Sequence, residues 1–148
     1  MNLGYNTKVS TAITPTAGAA GTSDINGTTL DMQGFDGVMV IVRMGTITAN
    51  AVTSIKMQQD TDSGAGTMAD LEGTSITVAD NDDDQTFVID LYKPRERYVR
   101  VVVDRGTQNA VVASAEYIQY GPRVIPTTQN VTDAVTFEAH ISPAEGTA

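Results

Sequence analysis

Two runs of alternating side chains flank a short polar insert between residues 86 and 104, and this pattern restricts the middle of the chain to β-strands. The positions of one parity are all apolar: Phe87, Ile89 and Leu91 before the insert, and Val99, Val101 and Val103 after it. A period of two with β-branched and aromatic residues is typical of strands with one buried face. Pro94 lies in the insert, where the lack of a backbone N–H interrupts no ladder. We therefore predict a β-hairpin over residues 86–104.

Basic residues are concentrated at the corner of this predicted hairpin. The chain has 9 Lys and Arg residues against 18 Asp and Glu residues, and four of the nine lie between positions 93 and 100. Two interpretations stay open. The corner either pairs locally with Glu96, Asp90 and Asp104, or it binds carboxylates of a partner while two tyrosines add apolar area. The candidate interface residues are Lys93, Arg95, Arg97, Arg100, Tyr92 and Tyr98.

Composition excludes several classes of protein. The 148 residues include no cysteine, so neither disulfides nor thiolate metal sites hold the chain together. A formal net charge of −9 argues against nucleic-acid binding, which depends on basic side chains. The chain has no apolar run long enough to span a membrane, and its first residues lack the layout of a secretory signal. Thr, Val, Ala, Gly and Asp dominate, which favours an all-β fold.

About eight short strands separated by turn residues indicate a β-sandwich or barrel. Besides the two strands of the hairpin, we predict strands at residues 28–32, 38–44, 52–58, 75–78 and 110–120, and one helical turn at residues 68–71. The strand at 38–44 is apolar on both faces at its start, which favours a central position. In the strand at 110–120 we place Val112, Ile118 and Tyr120 on one face.

The chain is predicted to form one domain with polar ends. Residues 1–33 are predicted to form an extended N-terminal arm with a short strand, and residues 34–122 the sandwich core. Residues 123–148 are predicted to add a C-terminal strand, at 135–141, and a tail. Both ends have few long apolar side chains, so we expect them to be ordered by pairing with another strand or another subunit.

No constellation of residues indicates catalysis or a cofactor. The single histidine, His140, lies in the polar tail without a cysteine or a marked serine beside it, so an exposed or locally hydrogen-bonded side chain is the better interpretation. The aspartates at 80, 82, 83 and 84 resemble the start of a calcium loop. However, Gln85 and Leu91 stand where an EF-hand needs glycine and glutamate. Solvated turns are the main interpretation, and weak cation binding is the alternative.

Four segments resemble head decoration, or cement, proteins of tailed bacteriophages. They are GFDGVMVIVRMGTI at 34–47, DLYKPRERYVRVVV at 90–103, EYIQYGPRVIP at 116–126 and HISPAEGTA at 140–148. The resemblance implies a jelly-roll-like antiparallel β-sandwich with extended N- and C-terminal arms. It also implies a non-enzymatic virion protein that sits on the outer surface of the capsid and bridges capsomers. Its partners would be the major capsid protein and further copies of itself, as a dimer or trimer.

Residues 1–20 and 125–148 are predicted as further contact surfaces on the capsid, beside the basic corner. Two other functions stay open. One is a different virion module, associated with the tail or a fibre. The other is a carbohydrate-binding β-sandwich, which would need an exposed aromatic pair beside carboxylates in a chain with five tyrosines, three phenylalanines and no tryptophan.

Overall fold

The computed structural model describes residues 2–129, 135–142 and 144–147. In this part of the chain one short helix, α1 (Leu3–Asn6), precedes ten strands. The strands are β1 (Thr7–Ile13), β2 (Ile25–Asn26), β3 (Leu30–Asp31), β4 (Gly37–Ile47), β5 (Val52–Asp60), β6 (Ala69–Asp70), β7 (Ile76–Val78), β8 (Thr86–Tyr92), β9 (Tyr98–Gly106) and β10 (Ala110–Tyr120).

The strands form two antiparallel sheets. One sheet has the order β1-β10-β4-β8, and the other has the order β2-β9-β5-β6, with β3 also on β9 and β7 also on β5. If β2 with β3, and β6 with β7, are each counted as one strand, the chain has eight strands in the described residues. In chain order their positions are 1-8-3-6 in the first sheet and 2-7-4-5 in the second. This is the order of a jelly roll, so the predicted all-β, jelly-roll-like sandwich is confirmed.

The core lies between the sheets and is built from the alternating positions that the sequence marks. The valines at 38, 40 and 42 of β4 and at 99, 101 and 103 of β9 are all 0% exposed. β4 is central, as predicted, because β10 and β8 pair with its two sides. The alternation of apolar residues therefore predicts the buried face of both strands correctly, since side chains of one parity all face the opposite sheet.

The predicted hairpin over residues 86–104 is wrong. β8 pairs with β4 in the four-stranded sheet, whereas β9 pairs with β5, β2 and β3 in the other sheet. Residues 93–97 are therefore a crossover between the sheets. Alternation shows that each run has a buried face, but it does not show which strand each run pairs with. The helical turn predicted at 68–71 is also wrong, because β6 pairs there with the end of β5.

β10 carries an irregularity that reverses the predicted face of its second half. Its register with β4 shifts between Ala110 and Val112 and again between Val112 and Ser114. An extra residue in a strand moves all later side chains to the other face. The fully buried side chains after the shift are accordingly Ala115 and Tyr117, with 0% exposure, while Ile118 and Tyr120 are only partly buried.

The two ends of the chain have different outcomes. At the N-terminus, β1 forms a ladder with β10, which is the expected pairing with another strand, and Ala12 and Ile13 are only 2% exposed, so this end is packed into the sandwich. Its few apolar residues suffice because a ladder to β10 supplies the remaining interactions. At the other end, the strand predicted at 135–141 is not formed in the described residues 135–142. Residues 130–134 of that predicted arm lie outside the described residues.

Candidate functional site

The crossover at 93–97 lies at one end of the sandwich, where other basic residues join it. The end of β10 pairs with the start of β1 and the start of β4, which brings Lys8 and Arg123 to the same end. A groove of about 440 Å³ is lined by Lys93, Arg95, Arg97 and Arg123, and a neighbouring groove of about 270 Å³ by Lys8 and Arg123. We call these five residues the basic end.

Sequence reasoning missed two members of the basic end. Lys8 and Arg123 are far from the crossover in sequence, and the pairing of β10 with β1 and with β4 brings them to the same end of the sandwich. No local pattern marks them. Their place depends on strand partners, which the alternation of apolar residues leaves open.

Arg97 is bound to its own chain. Its Nε donates to Asp31 Oδ1 at 2.9 Å and its Nη2 to Asp31 Oδ2 at 2.7 Å, a bidentate pair with β3. Nη2 also donates to Gln33 Oε1 at 2.6 Å, and the guanidinium lies 5.1 Å from the centre of the Tyr98 ring. The hydrogen bond from Arg97 is the largest cause of the lowered pKa of Asp31. Arg97 thus pairs within its own chain, as the local-pairing interpretation predicts, but its partner is Asp31 and not Glu96, Asp90 or Asp104.

Lys93, Arg95 and Arg123 carry the charge that stays available at this end. Their side chains are exposed, and within the described residues none of them forms a salt bridge or a side-chain hydrogen bond. The Lys93 backbone N–H donates to the Asp36 carbonyl at 2.7 Å, which fixes the start of the crossover. Of the predicted local partners, Asp90 instead accepts a bond from Tyr120, and Asp104 pairs with Lys56.

An aromatic pair stands beside these charges. The rings of Tyr92 and Tyr120 are stacked, with centroids 6.4 Å apart and planes at 5°. Tyr92 is 59% exposed, and Lys93 Nζ lies 5.2 Å from the centre of its ring. Tyr120 Oη donates to Asp90 Oδ1 at 2.6 Å, and partial burial, together with this bond, raises the pKa of Tyr120 to about 12.

Arg100 lies apart from the basic end. It stands on the outer face of the second sheet, where its Nε donates to Gln58 Oε1 at 2.8 Å. The two residues are opposite each other in the ladder between β5 and β9. The structure therefore brings together Lys93, Arg95, Arg97, Tyr92 and Tyr98 from the predicted set, and it places Arg100 on a different surface.

The clustered aspartates hold loops in place by accepting hydrogen bonds from backbone N–H groups. Near the opposite end of the sandwich, Asp83 accepts from the Ile47 N–H at 2.6 Å, and Asp82 from the Ala79 N–H at 2.8 Å. Asp60, only 4% exposed, accepts from the backbone of Asp62 at 3.0 Å, the largest cause of its lowered pKa. In the part of the chain that the structure describes, no group of three or more potential ligands is placed to hold a metal ion.

Two further features of the described residues bear on the other functions considered. His140 is exposed, and its Nε2 lies 3.0 Å from Glu138 Oε2, in agreement with a locally paired histidine. No helix in the described ranges has the length and apolar character that a bilayer crossing requires.

Comparison with known proteins shows the fold. No protein-family model and no curated protein sequence matches this chain. Among solved structures, the chain is similar to PBSX exported protein XepA, with a TM-score of 0.51 and 12% identity over 96% of this chain and 45% of XepA. The chain thus spans less than half of XepA's length. A second solved structure, PirA, has a TM-score of 0.36 and 16% identity over 78% of this chain and 94% of PirA.

Proposed function

We propose that this chain is a non-enzymatic structural protein of a phage virion that binds the outside of the capsid and stabilises it by bridging capsomers. The resemblance of four segments to head decoration proteins supports the proposal, and the jelly roll that this resemblance implies is the fold the chain has. The observation that carries the proposal is the basic end: three exposed basic side chains of an acidic chain, Lys93, Arg95 and Arg123, lie together there, and none has a salt bridge among the described residues.

The basic end suits docking on a surface that carries carboxylates. In a molecule of net charge −9, a single basic region orients the encounter, because the rest of the surface is repelled by an acidic partner. Arg97 is held rigid by Asp31, so it loses little side-chain freedom on binding. Lys93 and Arg95 supply the charges that a partner's carboxylates would neutralise.

Exposed apolar side chains border the same end. Val124 is 76% exposed, Ile125 is 60% exposed and Tyr92 is 59% exposed. Apolar area beside a charged region is the usual composition of a protein interface, since burial of the apolar part supplies affinity and the charges supply orientation. The C-terminal residues 135–142 have no strand partner in the described structure, so they offer free backbone groups to a neighbouring sheet.

Co-sedimentation with capsids that lack the protein tests this proposal. We expect the triple substitution Lys93→Ala, Arg95→Ala and Arg123→Ala to weaken binding at least ~10-fold, since each charged contact contributes about 0.5–1 kcal/mol or more. Arg43→Ala is the matched control, because Arg43 is an exposed basic residue on the outer face of β4. Binding of the triple variant at wild-type strength would show that the basic end is not the contact surface.

The place of the protein on the particle separates this role from that of a tail or fibre module. Cryo-microscopy of the virion should show density for the sandwich over the capsid shell. Density on the tail would keep the fold and the virion assignment but would replace the major capsid protein as the partner. Stabilisation should appear as a higher temperature of genome release from particles that carry the protein.

One observation favours a second candidate, carbohydrate binding. The Tyr92–Tyr120 stack, with Asp90 bonded to Tyr120, is an aromatic pair beside a carboxylate, and Tyr92 presents an exposed ring. Aromatic rings and carboxylates are the groups that hold sugar rings and their hydroxyls. A glycan array checks this candidate: specific binding that Tyr92→Ala abolishes would favour it over the capsid role.

A further inference from the structure

β8 is a free sheet edge. It pairs with β4 on one side, and no other strand of the described chain pairs with its second side. The Lys93 N–H donates to the Asp36 carbonyl and the Met44 N–H to the Gln85 carbonyl, one bond at each end of this ladder. Because hydrogen-bonded pairs alternate along an antiparallel ladder, the odd-numbered residues of β8 bond to β4. The backbone groups of the even-numbered residues point away from the sheet: Thr86, Val88, Asp90 and Tyr92.

This edge has few of the usual devices that prevent pairing, and its one charged side chain, Asp90, is bonded to Tyr120. β8 has seven residues, contains neither proline nor lysine, and its register with β4 has no bulge. Within the described residues, no hydrogen bond to its outward backbone groups is present. The other edge of the same sheet is covered: Gln129 Oε1 accepts from the Val9 N–H at 3.1 Å, and the Thr28 N–H donates to the Ala12 carbonyl at 2.9 Å.

The side chains of β8 also leave the core open at this edge. Phe87 and Leu91 face the core but are only partly buried, and on the outer face Val88 is 49% exposed. A cleft of about 500 Å³ opens beside the end of β8 towards the edge of the second sheet, with Leu71 and Leu91 in its wall. An added strand would cover this apolar area as well as the backbone groups.

The charges on either side of β8 select the direction of an added strand. An acidic loop, with aspartates at 80, 82, 83 and 84, precedes the strand, and the basic residues 93, 95 and 97 follow it. A strand of seven residues separates the two by roughly 23 Å, well beyond a Debye length of about 8 Å, so they do not neutralise each other within one chain. Antiparallel pairing of two copies would place the acidic loop of each against the basic residues of the other. Parallel pairing would bring like charges together.

We propose that β8 pairs antiparallel with β8 of a second copy of this chain, which joins the two four-stranded sheets into one continuous sheet across a two-fold axis. This inference goes beyond capsid binding and does not depend on it. One register lets all four outward residues of each β8 bond to the other copy. In it, Ile89 of both copies lies at the two-fold axis, Thr86 of one copy is opposite Tyr92 of the other, and Val88 is opposite Asp90. About eight backbone hydrogen bonds then form, and no aspartate faces an aspartate.

The substitution Val88→Pro tests the pairing without disturbing the fold. The Val88 N–H points away from β4, so proline removes no bond of the native ladder but removes a donor and adds bulk at the free edge. Both copies carry the change, so the dissociation constant of the dimer should rise by ~100-fold, as measured by sedimentation equilibrium. Val88→Thr is the matched control, because it changes the same side chain and keeps the N–H, and it should leave the dimer intact.

Residue-resolved hydrogen exchange gives a second, independent readout. In the dimer the Asp90 amide should be protected, and it should exchange rapidly in the Val88→Pro monomer. The Ile89 amide bonds to β4 and should be protected in both. Arg95→Glu should weaken the dimer about tenfold, and added salt should weaken the wild-type dimer.

Three results would overturn the inference. The first is a wild-type chain that stays monomeric at concentrations up to about 1 mM, which sets a lower limit on the dissociation constant. The second is a trimer, or a dimer that survives in folded Val88→Pro. The third is open-ended aggregation in place of a closed dimer. All are measured in solution without capsids, so they are distinguishable from a failure of the capsid-binding proposal.

Discussion

Removal of one buried hydroxyl, in Tyr117→Phe, should destabilise the sandwich strongly. Tyr117 is 0% exposed and joins the two sheets through its side chain. Its hydroxyl donates to the Thr28 carbonyl at 2.9 Å and accepts from the Val101 N–H at 2.9 Å. The Val101 N–H belongs to β9, and the Thr28 carbonyl lies between β2 and β3. Without the hydroxyl, the buried N–H and the partly buried carbonyl both lose this partner.

The magnitude follows from the two orphaned groups. An unsatisfied buried polar group costs about 1–3 kcal/mol, and the partly buried carbonyl costs less, so the free energy of unfolding should fall by about 1–4 kcal/mol. A Cβ at Gly27 would lie 2.9 Å from the Tyr117 hydroxyl, which shows how closely the site is filled. A water molecule therefore has little room to replace the lost oxygen. Against a typical stability of about 5–15 kcal/mol, this loss is large.

Urea denaturation followed by circular dichroism measures the effect. Tyr92→Phe is the matched control: it removes the same atom from a side chain that is 59% exposed, and it should change the stability by less than about 0.5 kcal/mol. The slope of the transition should stay the same in both variants, since the exposed area on unfolding barely changes. A loss below about 1 kcal/mol for Tyr117→Phe, or a loss equal to the control, would refute the role of the hydroxyl as the link between the sheets.

Three further outcomes follow from the structure. Gly18→Ala should lower the free energy of unfolding by about 1–3 kcal/mol, because the added Cβ would collide with the Val112 carbonyl of β10. Gly66→Ala is the control: a Cβ there has open space, so the free energy of unfolding should barely change. Burial raises the pKa of Tyr120 from 10.0 to about 12, so the free energy of unfolding should fall as the pH rises from 10.0 to about 12. This fall should be less steep in Tyr120→Phe. The pKa of Asp60 is lowered from its ordinary value of 3.8, chiefly by the hydrogen bond from the Asp62 backbone N–H, so the free energy of unfolding should fall as the pH drops below 3.8. Asp60→Asn should reduce this pH dependence and speed hydrogen exchange of the Thr67 amide, which bonds to Asp60.

Much of the fold can be predicted from the sequence, because burial leaves a local trace. Ile55 and Met57, both 0% exposed, alternate with the polar residues at 54, 56 and 58, and this alone indicates a strand with one face in the core. Strand partners leave no comparable trace. The run after residue 97 looks the same whether it folds back on β8 or crosses to the other sheet, since both give it one buried face.

Irregular strands set a second limit on prediction. The side chains after the shift in β10 occupy the face opposite to the one predicted, so Ile118 and Tyr120 do not share the buried face of Val112. A single unpaired residue causes this, and nothing in its chemistry marks it. Two polar residues that are buried after the shift, Tyr117 and Gln119, bond to the backbone of residues 28 and 31, contacts that connect distant parts of the chain.

The crossover at residues 93–97 gives the basic end and the free edge a common cause. In a hairpin, β9 would pair with β8 and satisfy its outward N–H and C=O groups, and Arg97 and Arg100 would stay beside Lys93 and Arg95. Because β9 crosses to the other sheet, Arg100 moves to that sheet's outer face, and Arg97 turns to Asp31. The exposed residues Lys93 and Arg95 then lie directly after an uncovered strand. Docking through the basic end and pairing through β8 are therefore adjacent but separable, since Val88→Pro alters the edge and leaves every basic residue in place.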